Sequence, residues 1–413
     1  MNADQCGKTA TERMLEVVES HMGKNGGVLP LADESVTFSV SSPKETLRRF
    51  TDVPDDTSFL YGRMLHPTVA LLGEMVAALE GSESGYAVAS GLSAIHIVVT
   101  ALTKPGDHVV VAGTLYGGSM GFFRALETSR RVKVTKVDIT DHDRVEKALA
   151  KKHTKLLFVE SVSNPLMVVA DIPRLAAITH EAGAQLVVDN TFAPFVIEPI
   201  KHGADIVVHS LTKYASGYSD ITAGGIACRR TFWESMLHAT TGTHTLHGAV
   251  LDPSVAHKLI VRMQDMYLRF CEASRYAAMM AHLCEEANIN VLYPGLRAHP
   301  QHKLMNRLAL SSSAFIHAYG YGGVLALDLG SYEKALQLHA ALIAHNVAIN
   351  AVSLGSAHTY AICFGGAYPT LPLLKHDFVP YPQGLLRIAA GRTPEFVIVE
   401  RRLRAALLSC SRG

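Results

Sequence analysis

The sequence lacks several features that mark whole classes of protein. Its 413 residues contain 38 Lys and Arg against 37 Asp and Glu, so the formal net charge is only +1. This balance leaves no excess of basic charge for a nucleic-acid partner. The apolar content of 48% is well above that of a disordered chain. We therefore expect a large buried core and two or three domains.

Cysteine is scarce as well, with six residues scattered along the chain. No two of them have the C-x-x-C spacing typical of zinc sites, and a chain of this size does not need a disulfide framework. We therefore expect no metal site, and we expect reduced thiols that suit the cytoplasm.

Long uninterrupted apolar runs are also missing. The stretch 84–103 carries no formal charge, but serines, glycines and a histidine interrupt it. It is interpreted as a buried loop followed by a buried helix rather than as a membrane span. Residues 1–28 mix charges throughout and lack the pattern of a secretory signal. These features predict a protein without a membrane partner.

From Pro67 onward, the sequence alternates between short apolar runs and helical patterns. Thr68–Leu79 predicts a helix with Pro67 near its first turn. Strands are predicted at His108–Ala112, Val132–Asp138, Lys155–Glu160, Gln185–Asp189 and Asp205–His209, and helices at Gly118–Leu126, Asp143–Lys151 and Ile172–Ala182. This alternation indicates βαβ units and a mostly parallel sheet that is covered on both faces.

The pattern differs at the two ends of the chain. Three regions are predicted: an N-terminal arm (1–60) with one helix near Thr9–His21, a large domain (61–252), and a small domain (253–413). The small domain would begin with one long connecting helix, Pro253–Ala287, and continue as a smaller α/β unit. Its predicted strands are Gly320–Leu329 and Leu385–Ala390, and its predicted helices are Tyr332–Ala344 and Pro394–Leu408.

Polar residues stand where the predicted strands end, which is where open parallel sheets bind ligands. Lys213 closely follows an apolar strand, so it either extends to the surface or forms a Schiff base with an aldehyde. Asp189 ends the preceding strand and either caps a helix or faces a pyridinium nitrogen. The turn Ser90-Gly91 before a helix offers N–H groups to a phosphate. The spacing alone leaves these alternatives open.

The segment His209–Asp220 resembles the lysine signature of the Cys/Met-metabolism family of pyridoxal phosphate enzymes. Further segments resemble that family in the same order: Tyr61–Thr68, Ser90–Ala94, Leu115–Gly118, Val187–Phe192, Tyr293–Leu296, His299-Pro300 and Val352–Gly355. The resemblance implies an α/β protein with the fold-type-I transferase fold of enzymes dependent on pyridoxal phosphate. That fold has a mostly parallel sheet in the large domain and a smaller C-terminal α/β domain.

The resemblance also implies roles for individual residues. Lys213 would hold pyridoxal 5'-phosphate as an internal aldimine and later move the α-proton of the substrate. Asp189 would pair with the pyridine nitrogen, and Tyr116 would stack on the ring and act as the general acid. The other implied cofactor-binding residues are Ser90, Gly91, Leu92, Ser210 and Thr212 around the phosphate, Asn164 near the phenolic oxygen, and Tyr61 and Arg63, which would reach a neighbouring subunit.

A small amino acid is the implied substrate, with Ser353 and Arg387 holding its α-carboxylate. The shared active site implies a homotetramer built as a dimer of dimers. The chain departs from the usual family pattern at His66, where Asn is common, at Tyr218, where His is frequent, and in the segment Gly391–Pro394. The first two departures are expected close to the cofactor, where they could change substrate choice.

Val352 stands where cystathionine γ-lyases usually carry Glu, and an apolar residue favours a thioether side chain. In segments such as Asp138–His142 and Asn190–Pro194, the residues resemble those of plant-type methionine γ-lyases. We therefore predict γ-elimination on L-methionine, which gives 2-oxobutyrate, methanethiol and ammonia. The alternatives are γ-replacement on an O-acyl-L-homoserine with a thiol or carbon nucleophile, a γ-lyase for another γ-substituted amino acid, and a cofactor-binding protein without turnover.

Overall fold

The computed structural model describes residues 8–23, 27–51, 59–312, 320–365, 381–392 and 395–411. Helices in these ranges are α1 Ala10–Ser20, α2 Pro43–Thr51, α3 Pro67–Glu80, α4 Gly91–Leu102, α5 Gly117–Arg130, α6 His142–Leu149, α7 Ile172–Glu181, α8 Arg230–Leu237, α9 Thr243–His247, α10 Pro253–Met263, α11 Met266–Glu286, α12 His302–Ser312, α13 Tyr332–Ala344 and α14 Phe396–Ser411. Strands are β1 Ser84–Val88, β2 His108–Ala112, β3 Lys133–Val137, β4 Thr154–Glu160, β5 Gln185–Asp189, β6 Ile206–Ser210, β7 Gly224–Cys228, β8 Asn290–Leu292, β9 Val324–Asp328, β10 Ile349–Asn350, β11 Tyr360–Cys363 and β12 Leu385–Ala389.

The first seven strands form one sheet in the order β1-β7-β6-β5-β4-β2-β3. Strands β2 to β6 pair in parallel, whereas β7 runs antiparallel to both of its neighbours. The side chains of β2, β4, β5 and β6 are mostly buried because helices pack on both faces; Val109, Val110 and Val111, for example, have no exposed surface. Those of the edge strand β3 are more exposed. The five predicted strands and the mostly parallel sheet are confirmed.

Two strands of this sheet, β1 and β7, were missed by the sequence patterns, and the interpretation of Ser84–Val88 as a loop is wrong. Both strands are short and contain glycine, which disfavours a strand prediction. Glycine is required by close packing at Gly224, where an added Cβ would lie 2.1 Å from the carbonyl oxygen of Ser90. The close approach of Ser90 therefore selects glycine at this position of the strand, although glycine has a low strand propensity.

The predicted long helix Pro253–Ala287 is also wrong, because the structure divides it into α10 and α11. The break is at Gln264 and Asp265. The Arg269 guanidinium donates to the Arg262 carbonyl oxygen at 2.5 Å and to the Asp265 carboxylate at 2.8 Å. A side chain therefore replaces a backbone N–H as the partner of a carbonyl at the end of α10.

The N-terminal arm contains a second helix, α2, besides the predicted one. The predicted helix α1 begins after Thr9, which caps it together with Glu12 in a capping box. Met14 and Val18 of α1 are buried in the main core, so this helix is part of the packed structure rather than a loose extension.

The other five strands form a second sheet in the order β10-β11-β12-β9-β8, which is mostly antiparallel. Helices α11, α13 and α14 pack against it and share its core. Strands β9 and β12 and helix α13 were predicted, whereas β8, β10 and β11 are too short for a clear pattern. The predicted helix start at Pro394 lies outside the described residues, and the observed helix begins at Phe396.

No helix in the part of the chain that the structure describes is long and apolar enough to cross a membrane. Within the same ranges, no group of three or more His, Cys, Asp and Glu side chains could hold a metal ion.

Candidate active site

A cavity of about 260 Å³ opens at the carboxyl edge of the seven-stranded sheet, and residues near the second sheet form part of its wall. Eleven of the predicted site residues line it: Ser90, Gly91, Leu92, Tyr116, Asn164, Asp189, Ser210, Thr212, Lys213, Val352 and Arg387. The cavity is also lined by residues that the sequence analysis did not select: Ile95, Glu160, Val162, Thr191, Phe192, Thr222 and Leu354.

Lys213 lies in a tight turn directly after β6, where its backbone N–H donates to the carbonyl of Ser210. Its Nζ donates to Ser353 Oγ at 3.1 Å. Partial burial lowers the pKa of Lys213, and the positive charge of Arg387 lowers it further. A lysine in this setting loses its proton more readily than a solvated one, as a nucleophilic or basic amine requires.

Asp189 is the last residue of β5 and is held by the threonine that follows two positions later. Its Oδ1 accepts hydrogen bonds from Thr191 Oγ1 at 2.6 Å and from the Thr191 N–H at 3.0 Å. Thr191 Oγ1 in turn accepts from the N–H of Ser210 at 2.8 Å. Enclosure by protein raises the pKa of Asp189, and these donors oppose that rise. A bound cation would stabilise its ionised form.

Glu160 ends β4 and occupies the same rung of the sheet as Asp189. Burial raises the pKa of Glu160 to about 8, and the negative charge of Asp189 adds to the rise. Its carboxyl oxygens accept from the backbone N–H groups of Tyr116, at 2.6 Å, and Asn164, at 2.9 Å. Sequence reasoning did not select Glu160 as a site residue. It could have been selected as an acidic residue at the end of a predicted buried strand.

The first turn of α4 forms one end of the cavity. Ser90 caps this helix by accepting from the N–H of Ser93 at 3.0 Å, and Gly91 begins it. An added Cβ on Gly91 would lie 2.8 Å from the Cβ of Ser210, so glycine allows the helix to approach β6. The free N–H groups of this first turn, together with hydroxyls on Ser210 and Thr212, form a donor set that suits a phosphate.

Arg387 on β12 enters the cavity from the second sheet and is almost fully buried. Its guanidinium donates to Asn164 Oδ1 at 3.0 Å and to the Ser353 carbonyl oxygen at 3.1 Å, and it lies 5.4 Å from the centre of the Phe364 ring. A fixed guanidinium beside an open cavity is suited to binding a carboxylate. Ser353 does not line the cavity, but it joins Lys213 to Arg387.

Two predicted cofactor-binding residues, Tyr61 and Arg63, do not line the cavity of their own chain. Tyr61 is 42% exposed, and the Arg63 guanidinium carbon lies 5.7 Å from the centre of the Tyr61 ring. Arg63 also donates to the carbonyl oxygen of Thr245 at 2.6 Å. Their contact with the phosphate of a neighbouring subunit stays a prediction.

Two of the departures from the family pattern, His66 and Tyr218, lie outside the cavity lining. His66 caps α3, since its Nδ1 accepts from the N–H of Thr68 at 3.2 Å. The Tyr218 ring lies 4.7 Å from the guanidinium carbon of Arg262 and 4.8 Å from that of Arg392. Each residue therefore has a structural role outside the cavity of its own chain, and the expectation that they lie close to the cofactor stays a prediction.

Pyridoxal phosphate matches this set of residues. Lys213 offers an amine of lowered pKa to an aldehyde, and Asp189 offers a partly buried carboxylate to a pyridinium nitrogen. The first turn of α4, brought close to Ser210 by Gly91, offers its N–H groups to the phosphate.

Comparison with known proteins agrees with this match. The family described as Cys/Met metabolism PLP-dependent enzyme matches residues 17–391. The chain is 38% identical over 379 residues to methionine gamma-lyase of Arabidopsis thaliana, an alignment that covers 91% of this chain and 85% of that protein. It is 31% identical over 339 residues to cystathionine gamma-lyase of Bacillus subtilis, covering 81% of this chain and 85% of that one.

A solved structure of cystathionine gamma synthase from Xanthomonas oryzae pv. oryzae, in complex with cystathionine, superimposes with a TM-score of 0.84 at 28% identity. The match covers 98% of this chain and 99% of that one. The protein is an enzyme with pyridoxal phosphate as its cofactor. Its chain belongs to the Cys/Met metabolism family of PLP-dependent enzymes.

Proposed function

We propose that the enzyme catalyses γ-elimination on L-methionine. Methionine and water would yield 2-oxobutyrate, methanethiol and ammonia, which accounts for every atom. The observation that carries the proposal is the position of Val352, which lines the cavity one residue before Ser353 and is 75% exposed. It presents an apolar surface to the substrate side chain, as a thioether requires and a distal ammonium does not.

The residues of the cavity have complementary roles in this reaction. When bound, pyridoxal phosphate withdraws electrons from the substrate carbons next to the amino group. Arg387 and Ser353 hold the α-carboxylate, and Lys213, with its lowered pKa, removes the α-proton. Tyr116 is 55% exposed at the cavity and donates a proton to the departing sulfur.

The assembly, location and domain organisation belong to the same proposal. The position of Tyr61 and Arg63 outside their own cavity supports a site shared between subunits, which would belong to a homotetramer made of two dimers. The five cysteines of the described ranges form no disulfide, which suits a reducing cytoplasm.

The proposed regions remain an arm to residue 60, a cofactor domain to residue 252 and a C-terminal domain.

A second candidate is γ-replacement on an O-acyl-L-homoserine by a thiol or carbon nucleophile. It is favoured by the superposition on a cystathionine gamma synthase with a TM-score of 0.84. Replacement needs the same cofactor and the same α-carboxylate site, and it differs in which molecule attacks after the γ-substituent leaves.

The deciding experiment incubates the purified holoenzyme with methionine, cystathionine or O-acetylhomoserine, each with and without an added thiol. Release of 2-oxobutyrate and methanethiol from methionine alone is expected. Lys213→Ala should abolish both this release and the absorbance band of the lysine-bound cofactor, whereas the exposed Lys303→Ala should retain both. Product formation only when a second nucleophile is present would replace the lyase proposal with the replacement reaction.

A further inference from the structure

Glu160 uses both oxygens of its buried carboxyl group to hold two separate segments at the cavity. Its Oε1 accepts from the N–H of Tyr116, which precedes α5, and its Oε2 accepts from the N–H of Asn164, in the turn after β4. The donor–acceptor distances are 2.6 Å and 2.9 Å, and the residue is only 6% exposed. A single side chain thus joins two loops of the site.

The Asn164 end of this link continues into the proposed carboxylate-binding group. Asn164 Oδ1 accepts from Arg387 at 3.0 Å, and Arg387 donates to the Ser353 carbonyl oxygen at 3.1 Å. Since Lys213 donates to Ser353 Oγ, hydrogen bonds and short backbone links connect Tyr116 to Lys213 around the cavity. Glu160 is the member of this path that connects Tyr116 to the rest.

We propose that Glu160 is a positioning residue, which holds Tyr116 and, through Asn164, Arg387 in place for the amino-acid substrate. The inference rests on the proposed function for the roles of Tyr116 and Arg387. Glu160 itself acts on the substrate only through these neighbours. Its removal should therefore weaken the binding of any amino acid whose carboxylate pairs with Arg387.

A carboxyl group suits this position better than an amide. Both oxygens of a carboxyl group keep lone pairs that can accept from the two N–H donors, whether or not the group is protonated, whereas the amide of glutamine replaces one oxygen with an NH₂ donor. In Glu160→Gln, one backbone N–H would face another donor, and its segment would have to shift. The charged groups that line the cavity with Glu160 are Asp189, Lys213 and Arg387, and none of them is altered by this substitution.

The test measures binding of L-alanine to the cofactor-loaded enzyme through the change in cofactor absorbance. Alanine has the α-amino and α-carboxylate groups but no γ-substituent, so no elimination follows binding. We expect the dissociation constant to rise about tenfold in Glu160→Gln, the scale of one disrupted buried hydrogen bond. Cofactor content and melting temperature are measured alongside, and both should remain close to those of the unmodified enzyme.

Glu198→Gln is the matched control, because Glu198 is also buried in the same core but pairs with Arg13 away from the cavity. It should bind alanine within about twofold of the unmodified enzyme. If Glu160→Gln does not fold or load cofactor, Glu160→Asp replaces it, since the shorter carboxylate cannot reach both N–H groups.

Unchanged alanine binding in the loaded Glu160 variant, or an equal loss in Glu198→Gln, would overturn the proposal. The proposed reaction fails separately: intact alanine binding without 2-oxobutyrate from methionine removes the methionine assignment and leaves the role of Glu160 unaffected.

Discussion

Lys213 and Ser353 are hydrogen-bonded beside the cavity, with Nζ 3.1 Å from Oγ. Lys213 follows strand β6 of the seven-stranded sheet, and Ser353 lies in the loop between β10 and β11 of the second sheet. The contact places the reactive amine beside the loop that also holds Arg387 through the carbonyl of Ser353. The amine and the proposed carboxylate-binding group are thus aligned by one serine, although they come from different sheets.

Replacement of Asp189 by Asn should leave cofactor bound but reduce kcat by about 100-fold or more, the scale of losing one preorganised charge in an active site. Asparagine can still accept from Thr191, but it has no negative charge to stabilise a protonated pyridine ring. Cofactor absorbance and 2-oxobutyrate release measure the two effects. Asp138→Asn, directly after β3, is the control. Near-normal turnover in Asp189→Asn would remove that residue from its proposed role.

The cofactor-free protein should lose stability as the pH rises toward and through 8. Folding raises the pKa of Glu160 from its ordinary 4.5 to about 8, so the folded state binds more protons between these values. Stability contributed by the protonated group is therefore lost on going to alkaline pH. Buried histidines such as His244, whose pKa is lowered to about 4 by burial, act in the opposite direction and only below their ordinary value of 6.5.

The measurement compares the melting temperatures of the cofactor-free protein and its Glu160→Gln variant between about pH 7 and pH 8.5. The melting temperature should fall more steeply with rising pH in the unmodified protein, since the glutamine of the variant does not titrate. Parallel curves would show that Glu160 does not change its protonation in this range.

Substitution of Val352 by Glu should move the substrate preference from methionine toward cystathionine. The side chain lines the cavity, so a carboxylate there can pair with the distal ammonium of cystathionine and would disfavour a thioether. We expect the ratio of kcat/KM values for the two substrates to change by about tenfold or more, the scale of one specific charge contact in a pocket. Val352→Gln controls for size without charge and should produce a much smaller change.

Tyr218 should act through the faces of its ring rather than through its hydroxyl. Arg262 and Arg392 lie 4.7 and 4.8 Å from the ring centre, and Arg392 follows β12, the strand that carries Arg387. Tyr218→Ala removes these two cation–π contacts and a third with Arg269, whose guanidinium carbon lies 6.0 Å from the ring centre. The substitution should raise KM for the amino acid by about threefold to tenfold. Tyr218→Phe retains the ring and should keep KM nearly unchanged. An equal effect in both variants would instead assign the role to the hydroxyl group.

Co-expressed Arg63→Ala and Lys213→Ala subunits, with different tags, should complement each other. Each variant alone is expected to be nearly inactive. If Arg63 serves the neighbouring site, a mixed dimer has one site with both residues intact, so random pairing restores about one quarter of full activity. Purified mixed dimers without activity would show that Arg63 and Lys213 serve the site of the same subunit, and would overturn this prediction.

Several elements were predictable because their local pattern agrees with their tertiary environment. Strands β2 and β5 match the predicted His108–Ala112 and Gln185–Asp189, since apolar β-branched runs suit a sheet covered on both faces. The glycine-containing β7 was not predictable in this way, because Gly224 is selected by the proximity of the Ser90 carbonyl. The break between α10 and α11 depends on Arg269 reaching back to Arg262.

The residues of the site also divide into those that could be predicted from the sequence and those that could not. Lys213, Asp189 and Arg387 were identified from the ordered residues around them, and the structure brings all three to one cavity. Glu160 and Thr191 were not, because their importance lies in hydrogen bonds to Tyr116, Asn164 and Ser210, which come from other elements.

The family, the cofactor and the residues that carry charge or nucleophilicity could be read from the order of residue types along the chain. How those groups are held, and how their proton affinities change, depends on the folded structure. Both depend on burial and on distances between strands that are far apart in the chain, and periodicity along one segment does not contain that information.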